Sequence, residues 1–352
     1  MLEYLFVFWI SIIFSLLFIK LFIKLFYKFN ILDNPKKYWL KRKPIPYWIG
    51  IIFFLLFFLL SYFFVEYNYK LYLIWLFWWI ITIISFIDDR IQVSAKIRLI
   101  IQILIWAVIW ITSIKIWYIS NIFWWIINLE TFNFVLFDHI IYIIPLIFTI
   151  IWYVFIFNAL NWSDWIQWNT SWISLISFFI LFLLWYLLFL RDDYPWALEN
   201  AKFIMWSTSI LVWILIPFWY FDYKEKILMW DSWTMFLWFM LATLAIIAWW
   251  KIATVLVVFW IYVVDAFYVL INRILSWKNP LSWDFTHIHH RLLSLWLSKN
   301  QVLFLLYFLS LFFWVTALFL DKTWKIIVFI IIIFIVVFIN NILKTISKKI
   351  NK

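Results

Sequence analysis

The stretch Ile326 to Ile339 reads IIVFIIIIFIVVFI and contains no polar side chain. With its flanks it forms an apolar run over 324–343, and a helix that crosses a bilayer needs about 20 such residues. Ten further runs precede it, near 4–27, 48–65, 71–87, 97–114, 139–157, 171–190, 200–217, 234–248, 252–271 and 302–320. The sequence therefore predicts an all-α, polytopic integral membrane protein with about eleven transmembrane helices, folded as a single domain over residues 1–352.

The composition supports this class. Hydrophobic residues make up 69% of the chain and charged residues 13%, whereas a soluble domain is roughly half apolar and a quarter charged. The net charge of +11 then indicates contact with anionic lipid headgroups, and we expect no nucleic-acid partner. The chain has no cysteine, which excludes disulfides and thiolate metal sites. The first apolar run lacks a small-residue cleavage site, so we interpret it as a retained helix.

The distribution of Lys and Arg predicts the orientation, because cytoplasmic loops carry an excess of these residues. The loops 28–47, 88–98, 158–170, 218–233 and 272–301, together with the tail 344–352, lie on one side of an eleven-helix chain. They hold 19 Lys and Arg residues, against 7 in the opposite loops. We therefore place the N-terminus outside and the C-terminus in the cytoplasm. In the longest external loop, 126–130 and 132–134 could pair as a small hairpin.

The use of glycine and tryptophan is unusual. Glycine occurs once and tryptophan 32 times, although average glycine usage of about 7% would give about 25 glycines. Many tryptophans stand where a turn or a close backbone approach is expected, as at Trp78-Trp79, Asn161-Trp162 and Trp249-Trp250. Our hypothesis is that most are glycine codons read under the wrong table, because some bacteria read UGA as glycine. The alternative is a truly tryptophan-rich protein.

A polar octad, residues 284–291, interrupts this apolar chain in the longest cytoplasmic loop. It holds three of the four histidines and an arginine: His287, His289, His290 and Arg291. Imidazole and guanidinium groups can donate several hydrogen bonds to phosphate oxygens, so the octad favours phosphate binding. A polar interfacial loop or a zinc site are the alternatives, although zinc prefers four tetrahedral ligands and no further ligand pair is obvious.

Paired acids end the third predicted helix at the cytoplasmic face, where Asp88-Asp89 precede Arg90. Two acids this close to a membrane favour proton acceptance or cation binding. The alternative is a helix end with a solvated ion pair to Arg90 or Lys96.

The segment 158–168 follows the fifth predicted helix and alternates amides, an acid and tryptophans. Read with glycines, it is a tight loop whose amides suit the polar edges of a ligand. A polar turn between two spans is the alternative.

Three further features carry charge at helix ends or inside a helix. Asp231 lies within 226–233, just before the eighth predicted helix, where it could cap that helix or ligate a divalent cation. Asp265 is an intramembrane acid and so a functional candidate by default. The basic residues before Pro44-Ile45-Pro46 are a topology signal, and one or two of them could also hold a diphosphate.

Taken in chain order, these segments resemble the polyprenyl-phosphate N-acetylhexosamine-1-phosphate transferase family, glycosyltransferase family 4, over nearly the whole chain. The family implies that a polyprenyl phosphate in the inner leaflet attacks the β-phosphorus of a UDP-N-acetylhexosamine and releases UMP. It also implies a multi-pass protein of the inner, cytoplasmic membrane and a Mg²⁺ cofactor, with Mn²⁺ as an alternative. Expected partners are the two substrates, membrane lipids and, as an option, a second copy of the chain.

The resemblance assigns roles to individual residues. Asp231 would be the leading metal ligand, assisted by Asn161. Asp88 would deprotonate or position the lipid phosphate with support from Asp89, and Asp164 would serve the nucleotide pocket or the surroundings of the metal. The expected substrate-binding residues are Asn158, Gln167, His287, His289, His290, Arg291, and Arg42 or Lys43, with Lys41 as a further basic candidate.

The donor is expected to be UDP-N-acetylglucosamine, because His-Ile-His-His-Arg-Leu resembles the branch that uses simple UDP-sugars. The branch that transfers phospho-N-acetylmuramoyl-pentapeptide is the alternative. The sequence departs from the family at Gln167, where the family usually has an acid; an amide can hydrogen-bond a uracil edge but is a poor metal ligand. A lipid or solute transporter is the competing class, although the polar clusters lie at helix ends instead of mid-membrane.

Overall fold

The structure, a computed structural model, describes residues 2–35, 42–91, 93–111, 114–120, 126–136, 139–161, 169–190, 198–228, 231–248, 260–279, 286–295, 297–320 and 322–350. In these residues it has twelve helices and four short strands. The helices are α1 (Leu2–Lys28), α2 (Ile49–Phe64), α3 (Tyr69–Ile91), α4 (Ala95–Ile111), α5 (Ile143–Asn161), α6 (Asn169–Phe189), α7 (Leu198–Tyr223), α8 (Asp231–Ile247), α9 (Trp260–Leu275), α10 (Ile288–Ser294), α11 (Lys299–Phe319) and α12 (Lys322–Ile350). The strands are β1 (Tyr118–Ser120), β2 (Ile126–Asn128), β3 (Asn133–Leu136) and β4 (His139–Tyr142).

The helical class is confirmed, and each of the eleven apolar runs overlaps a long helix. Residues 139–142 of one run form β4 instead of helix, and residues 252–259 of another lie outside the described part. By length and composition, four of the described helices, α1, α5, α6 and α7, can cross a membrane. Bulky apolar side chains also face outward, for example Phe304 at 73% and Phe334 at 71% exposure. Such surface is typical of contact with lipid. The chain is a multi-pass membrane protein; the count of eleven spans and the orientation stay predictions.

The chain divides into two compact units, each made of two separate segments. Unit 1 comprises Met1–Val93 and Asp164–Ala248. In it, α7 packs along α6, α1 and α2, while α8 packs against α2, α3, α6 and α7. Every residue of α8 from 233 onward is buried. A helix that is apolar on all sides belongs in a core, so α8 forms the centre of unit 1.

Unit 2 comprises Ser94–Ser163 and Trp249–Lys352. Here α4 packs against α5, and α9 packs against α5, α11 and α12. The short helix α10 contains His289 and His290, with His287 as its N-cap, and lies against α11 and α12. Two antiparallel hairpins lie between α4 and α5, formed by β1 with β2 and by β3 with β4. The predicted pairing of 126–130 with 132–134 is therefore wrong: both segments contain strands, but β2 pairs with the strand before it and β3 with the strand after it.

A residue with positive φ lies two positions after the last residue of each of three helices, α1, α7 and α9: Asn30 at 54°, Glu225 at 51° and Trp277 at 56°. At the end of α9, Lys278 N–H donates to the carbonyl of Arg273 at 2.9 Å, which closes the helix in the manner that favours glycine at the left-handed position. A bulky side chain with positive φ is an outlier, and Trp277 is 98% exposed. The backbone conformation at Trp277 is therefore the one expected of a glycine that follows the C-terminal end of a helix.

Several tryptophans are also crowded in the cores of the units. In unit 1 the Trp78 and Phe54 ring centroids are 3.3 Å apart, and those of Trp233 and Phe53 are 3.9 Å apart at 84°. A buried indole N–H usually finds an acceptor. Five buried indole nitrogens have no hydrogen-bond partner among the described residues: Trp78, Trp110, Trp185, Trp219 and Trp233. Both observations agree with the hypothesis that small residues belong at such positions.

Candidate functional site

The octad ends in α10, whose first turn is fixed by an acid from another helix. His287 is the N-cap of α10, with extended φ and ψ of −66° and 151°. Its Nδ1 lies 2.8 Å from Oδ2 of Asp265, and the Ile288 N–H donates to Oδ1 of the same carboxylate at 3.0 Å. The first N–H groups of a helix lack partners within the helix. Asp265 of α9 therefore supplies the acceptor that α10 needs and orients His287 at once.

His289 lies deeper than its neighbours and is 2% exposed. Its ring is parallel to that of His287, with the centroids 5.9 Å apart, and 4.2 Å from the ring of His290. Burial, and then the neighbouring His290 and His287, lower the pKa of His289 well below its usual value. Its Nε2 has no hydrogen-bond partner among the described residues. At neutral pH this imidazole is therefore uncharged and can offer a hydrogen bond from Nε2, but no charge.

Arg291 supplies the permanent positive charge of this cluster. Its Nη1 donates to the backbone carbonyl of Asn340 at 2.9 Å, and its guanidinium carbon lies 5.5 Å from the ring centroid of Tyr268. Contact with an aromatic face stabilises a guanidinium. The cluster thus combines a fixed cation with three imidazoles, which is a suitable donor set for phosphate oxygens.

Asn158 and Asn161 lie at the end of α5 that enters the polar loop. The Asn158 amide Nδ2 donates to Oε1 of Gln102 at 2.8 Å and to the carbonyl of Val154 at 2.7 Å. Asn161 is the last residue of α5 and is half-buried. Asp164 and Gln167 lie outside the described residues. The amide pair of Asn158 and Gln102 fixes the end of α5 against α4.

Asp88 lies near the end of α3, with its carboxylate buried. Its Oδ1 accepts the N–H of Val93 at 2.7 Å, so the side chain holds the backbone that follows the helix. This burial argues against the alternative of a solvated ion pair. Asp89 is the next residue of α3, and its side chain lies outside the described part.

Arg42, predicted to bind phosphate, has an acidic partner in the same loop. Nη2 and Nη1 lie 2.7 and 3.1 Å from the two oxygens of Asp33, which is a bidentate ion pair. Asp33 also accepts the N–H of Ile45 at 2.8 Å. Arg42 therefore closes the loop on itself, while Lys43 next to it is exposed.

Asp231 is the first residue of α8, and its side chain lies outside the described part. Within that part, no three His, Asp or Glu residues are grouped so that they could hold a metal ion. The predicted pair of Asp231 and Asn161 offers a carboxylate and an amide oxygen, which are donors that Mg²⁺ accepts. By donor chemistry each of the two residues is able to ligate magnesium, and their joint site stays a prediction.

The structure thus brings Asp265, His287, His289, His290 and Arg291 together within unit 2. Asp88, Arg42 and Asp231 belong to unit 1, and a shared pocket stays a prediction. Sequence reasoning missed three polar partners: Asp33, Gln102 and Asn340. A signal existed for two of them, because Gln102 and Asn340 interrupt otherwise apolar runs.

Comparison with known proteins agrees with the motifs. Residues 71–249 match the model of glycosyl transferase family 4. A Bacillus subtilis (strain 168) protein, described as a probable undecaprenyl-phosphate N-acetylglucosaminyl 1-phosphate transferase, is 25% identical over 252 residues, which is 69% of this chain. The aligned region spans 64% of the relative's own length. The family match extends over half of this chain and includes Asp88, Asn158 and Asp231. It confirms the resemblance inferred from the motifs, and the chain belongs to glycosyl transferase family 4.

Proposed function

We propose that this chain transfers an N-acetylhexosamine 1-phosphate, with N-acetylglucosamine as the favoured sugar, from its UDP-linked form to a polyprenyl phosphate and releases UMP. The observation that carries the proposal is the family match over 71–249. The described function of the Bacillus subtilis relative supports it. The membrane character of the chain supports it as well, because one substrate is a lipid.

The reaction exchanges one phosphorus–oxygen bond for another. An oxygen of the lipid phosphate forms a bond to the β-phosphorus of the UDP-sugar. The bond from that phosphorus to the bridging oxygen breaks, and UMP leaves with the oxygen. Negative charge accumulates on the phosphoryl oxygens, so catalysis depends on positioning and on electrostatic stabilisation.

Asp88 is the candidate for positioning the lipid phosphate or accepting its proton, with Asp89 in support. Its burial at the end of α3 supports this role, since a buried carboxylate at a membrane-spanning helix is costly and is therefore a functional candidate. The hydrogen bond from Val93 to Oδ1 orients the carboxylate. Asp164 remains our candidate for the nucleotide pocket, and Asn158 and Gln167 for contacts to the donor.

The histidine cluster is the candidate for holding phosphate oxygens. Arg291 contributes charge, and the buried Nε2 of His289 contributes a hydrogen bond whose partner is not among the described residues. A buried polar atom without a partner costs about 1–3 kcal/mol, which a phosphate oxygen would recover. Lys43, which is exposed, is a further candidate for the diphosphate, and Arg42 would act by holding the loop through Asp33.

Asp231 and Asn161 are the candidates for holding Mg²⁺, or Mn²⁺ in its place. When bound, the ion would supply Lewis-acid stabilisation of the diphosphate charge. The chain would act at the cytoplasmic face of the inner membrane, the side on which the Lys and Arg count predicts these residues to lie. The proposed products start a lipid-linked glycan of the cell envelope.

The proposal is tested with purified full-length protein, magnesium, polyprenyl phosphate and radiolabelled UDP-N-acetylglucosamine. We expect labelled lipid and one UMP for each sugar transferred. Asp231→Asn and Asp88→Asn should each lower turnover at least 100-fold, in line with loss of an electrostatic group at a reacting centre. The matched control is Asp222→Asn, which removes another buried acid, bonded to Ser171 in unit 1, and should keep nearly full turnover.

Two further arms of the assay separate the alternatives. UDP-N-acetylmuramoyl-pentapeptide in place of the simple sugar would give lipid product if the chain belonged to the peptidoglycan branch. Proteoliposomes loaded with either substrate would show movement without UMP if the chain were a transporter. Full activity of Asp231→Asn and Asp88→Asn would refute the roles given to those residues, and absence of UMP with every donor would refute the proposed function.

A further inference from the structure

Asp265 is bonded on both of its carboxylate oxygens. Oδ2 faces Nδ1 of His287 at 2.8 Å, and Oδ1 accepts the N–H of Ile288 at 3.0 Å. The residue is buried within α9, where an unpaired charge would be costly. The two bonds therefore satisfy the carboxylate and tie it to the first turn of α10.

Asn340 of α12 adds a second tie to the same place. Its Nδ2 donates to Oδ1 of Asp265 at 3.3 Å, and its backbone carbonyl accepts from Nη1 of Arg291 at 2.9 Å. The side chain is fully buried. One residue of α12 thus contacts both the acid that orients His287 and the arginine one turn further along α10.

We propose that Asp265 and Asn340 are positioning residues of the transfer reaction, which hold His287 and Arg291 at the phosphate groups of the substrates. The inference rests on the proposed function. Asp265 keeps a proton on Nδ1 of His287, because a carboxylate can only accept there. Nε2 is then the ring nitrogen that meets phosphate: it accepts a phosphate proton in the neutral ring and donates a hydrogen bond in the protonated ring.

The geometry predicts what an isosteric change would do. Oδ1 of Asp265 receives two donors, from Ile288 and Asn340, so in Asp265→Asn the amide oxygen would occupy that position. The amide NH₂ would then face Nδ1 of His287, which would have to accept. The proton would move to Nε2 and the ring would present the wrong tautomer, with little change in the volume of the side chain.

The first measurement reads the tautomer directly and needs no activity. Full-length protein carrying ¹⁵N-labelled histidine is examined by NMR at pH 8, and the His287 signal is identified by its loss in His287→Gln. The chain has four histidines, so the spectrum is small. We expect the His287 proton on Nδ1 in the unaltered protein and on Nε2 in Asp265→Asn, with Asp222→Asn unchanged.

The second measurement is steady-state kinetics on the same samples. Asp265→Asn should lower kcat about 10- to 100-fold, by analogy with removal of the carboxylate that orients a metal-binding histidine. The KM values for the UDP-sugar and for the lipid phosphate should change less than about threefold, since the binding groups remain. A larger rise in one of the two KM values would show that residues 287–291 bind the phosphate of that substrate, and it would also support the inference.

Asn340 is tested by Asn340→Ala, which removes the amide but keeps the carbonyl that Arg291 uses. We expect a smaller loss of kcat, and no further loss when it is combined with Asp265→Asn, because both act through His287. An unchanged His287 tautomer in Asp265→Asn, or a changed tautomer with full kcat, would overturn the inference. A protein with the Nδ1 tautomer but no transfer activity would refute the proposed function and leave the tie between Asp265 and His287 intact.

Discussion

His289 shows how burial decides the chemistry of a single side chain. Its imidazole lies between two others in a site that excludes water, so the uncharged form is favoured. The same residue type one position along, His290, is half-buried. The octad therefore should not be treated as a uniform cationic patch: Arg291 is its permanent charge, and the buried His289 is uncharged at neutral pH.

This difference predicts a pH dependence of stability. Because the pKa of His289 is lowered in the folded protein, the unfolded chain binds an extra proton once the pH falls below about 6.5. Above that pH, neutral His289 makes its full contribution to the free energy of unfolding. Below it, the free energy of unfolding falls by up to about 1.4 kcal/mol per pH unit. Thermal unfolding in micelles between pH 7.5 and 5.5 should therefore show a steeper loss for the unaltered protein than for His289→Gln. Parallel curves would contradict the assignment.

At the scale of elements, the end of α9 is the clearest indication that a tryptophan occupies a glycine position. The left-handed backbone at Trp277 costs a bulky residue about 1–2 kcal/mol, which glycine does not lose. Trp78 lies on α3 and Trp233 on α8, two helices that pack together. Their crowding likewise indicates that tryptophan occupies positions of small residues. Small residues at such contacts let helices in a membrane approach closely.

The hypothesis predicts both a stability change and a mass. Trp277→Gly should raise the stability of recombinant protein by about 1 kcal/mol, measured by thermal unfolding. The control is Ser276→Gly, at the neighbouring position without positive φ, which should not be stabilising.

In protein made by its own host, peptides that span position 277 and positions 162–165 should have the masses expected for glycine at the tryptophan positions. Masses expected for tryptophan would refute the hypothesis.

At the scale of the whole molecule, long elements follow from the sequence and most tertiary contacts do not. Runs of apolar residues predicted the positions of the eleven long helices, since no soluble alternative can bury so much apolar surface. The partners of the polar residues lie far along the chain: Asp265 and His287 are 22 residues apart, and Asn158 and Gln102 are 56 apart. No local pattern encodes such pairs, so the sequence supplied candidate site residues but not the contacts that they make.

The topology is open to a direct measurement because the chain contains no cysteine. Asn128→Cys in β2 should react with a membrane-impermeant maleimide in intact cells, since its loop is predicted to be external. Ser298→Cys, just before α11, should react only after the membrane is permeabilised, since its loop is predicted to be cytoplasmic. The reverse pattern would invert the orientation that the Lys and Arg count predicts.

The central claim is that residues far apart in sequence act on one diphosphate, and a double-mutant cycle between Asp231 and His289 tests it most directly. The kcat/KM for lipid-linked sugar formation is measured for Asp231→Asn, His289→Gln and the double variant. If both residues serve one reacting phosphate, the kcat/KM of the double variant should be only slightly lower than that of the less active single variant. The effects of substituting groups that act as a unit are not additive. Losses that simply multiply would show that the two residues act independently and would contradict the account.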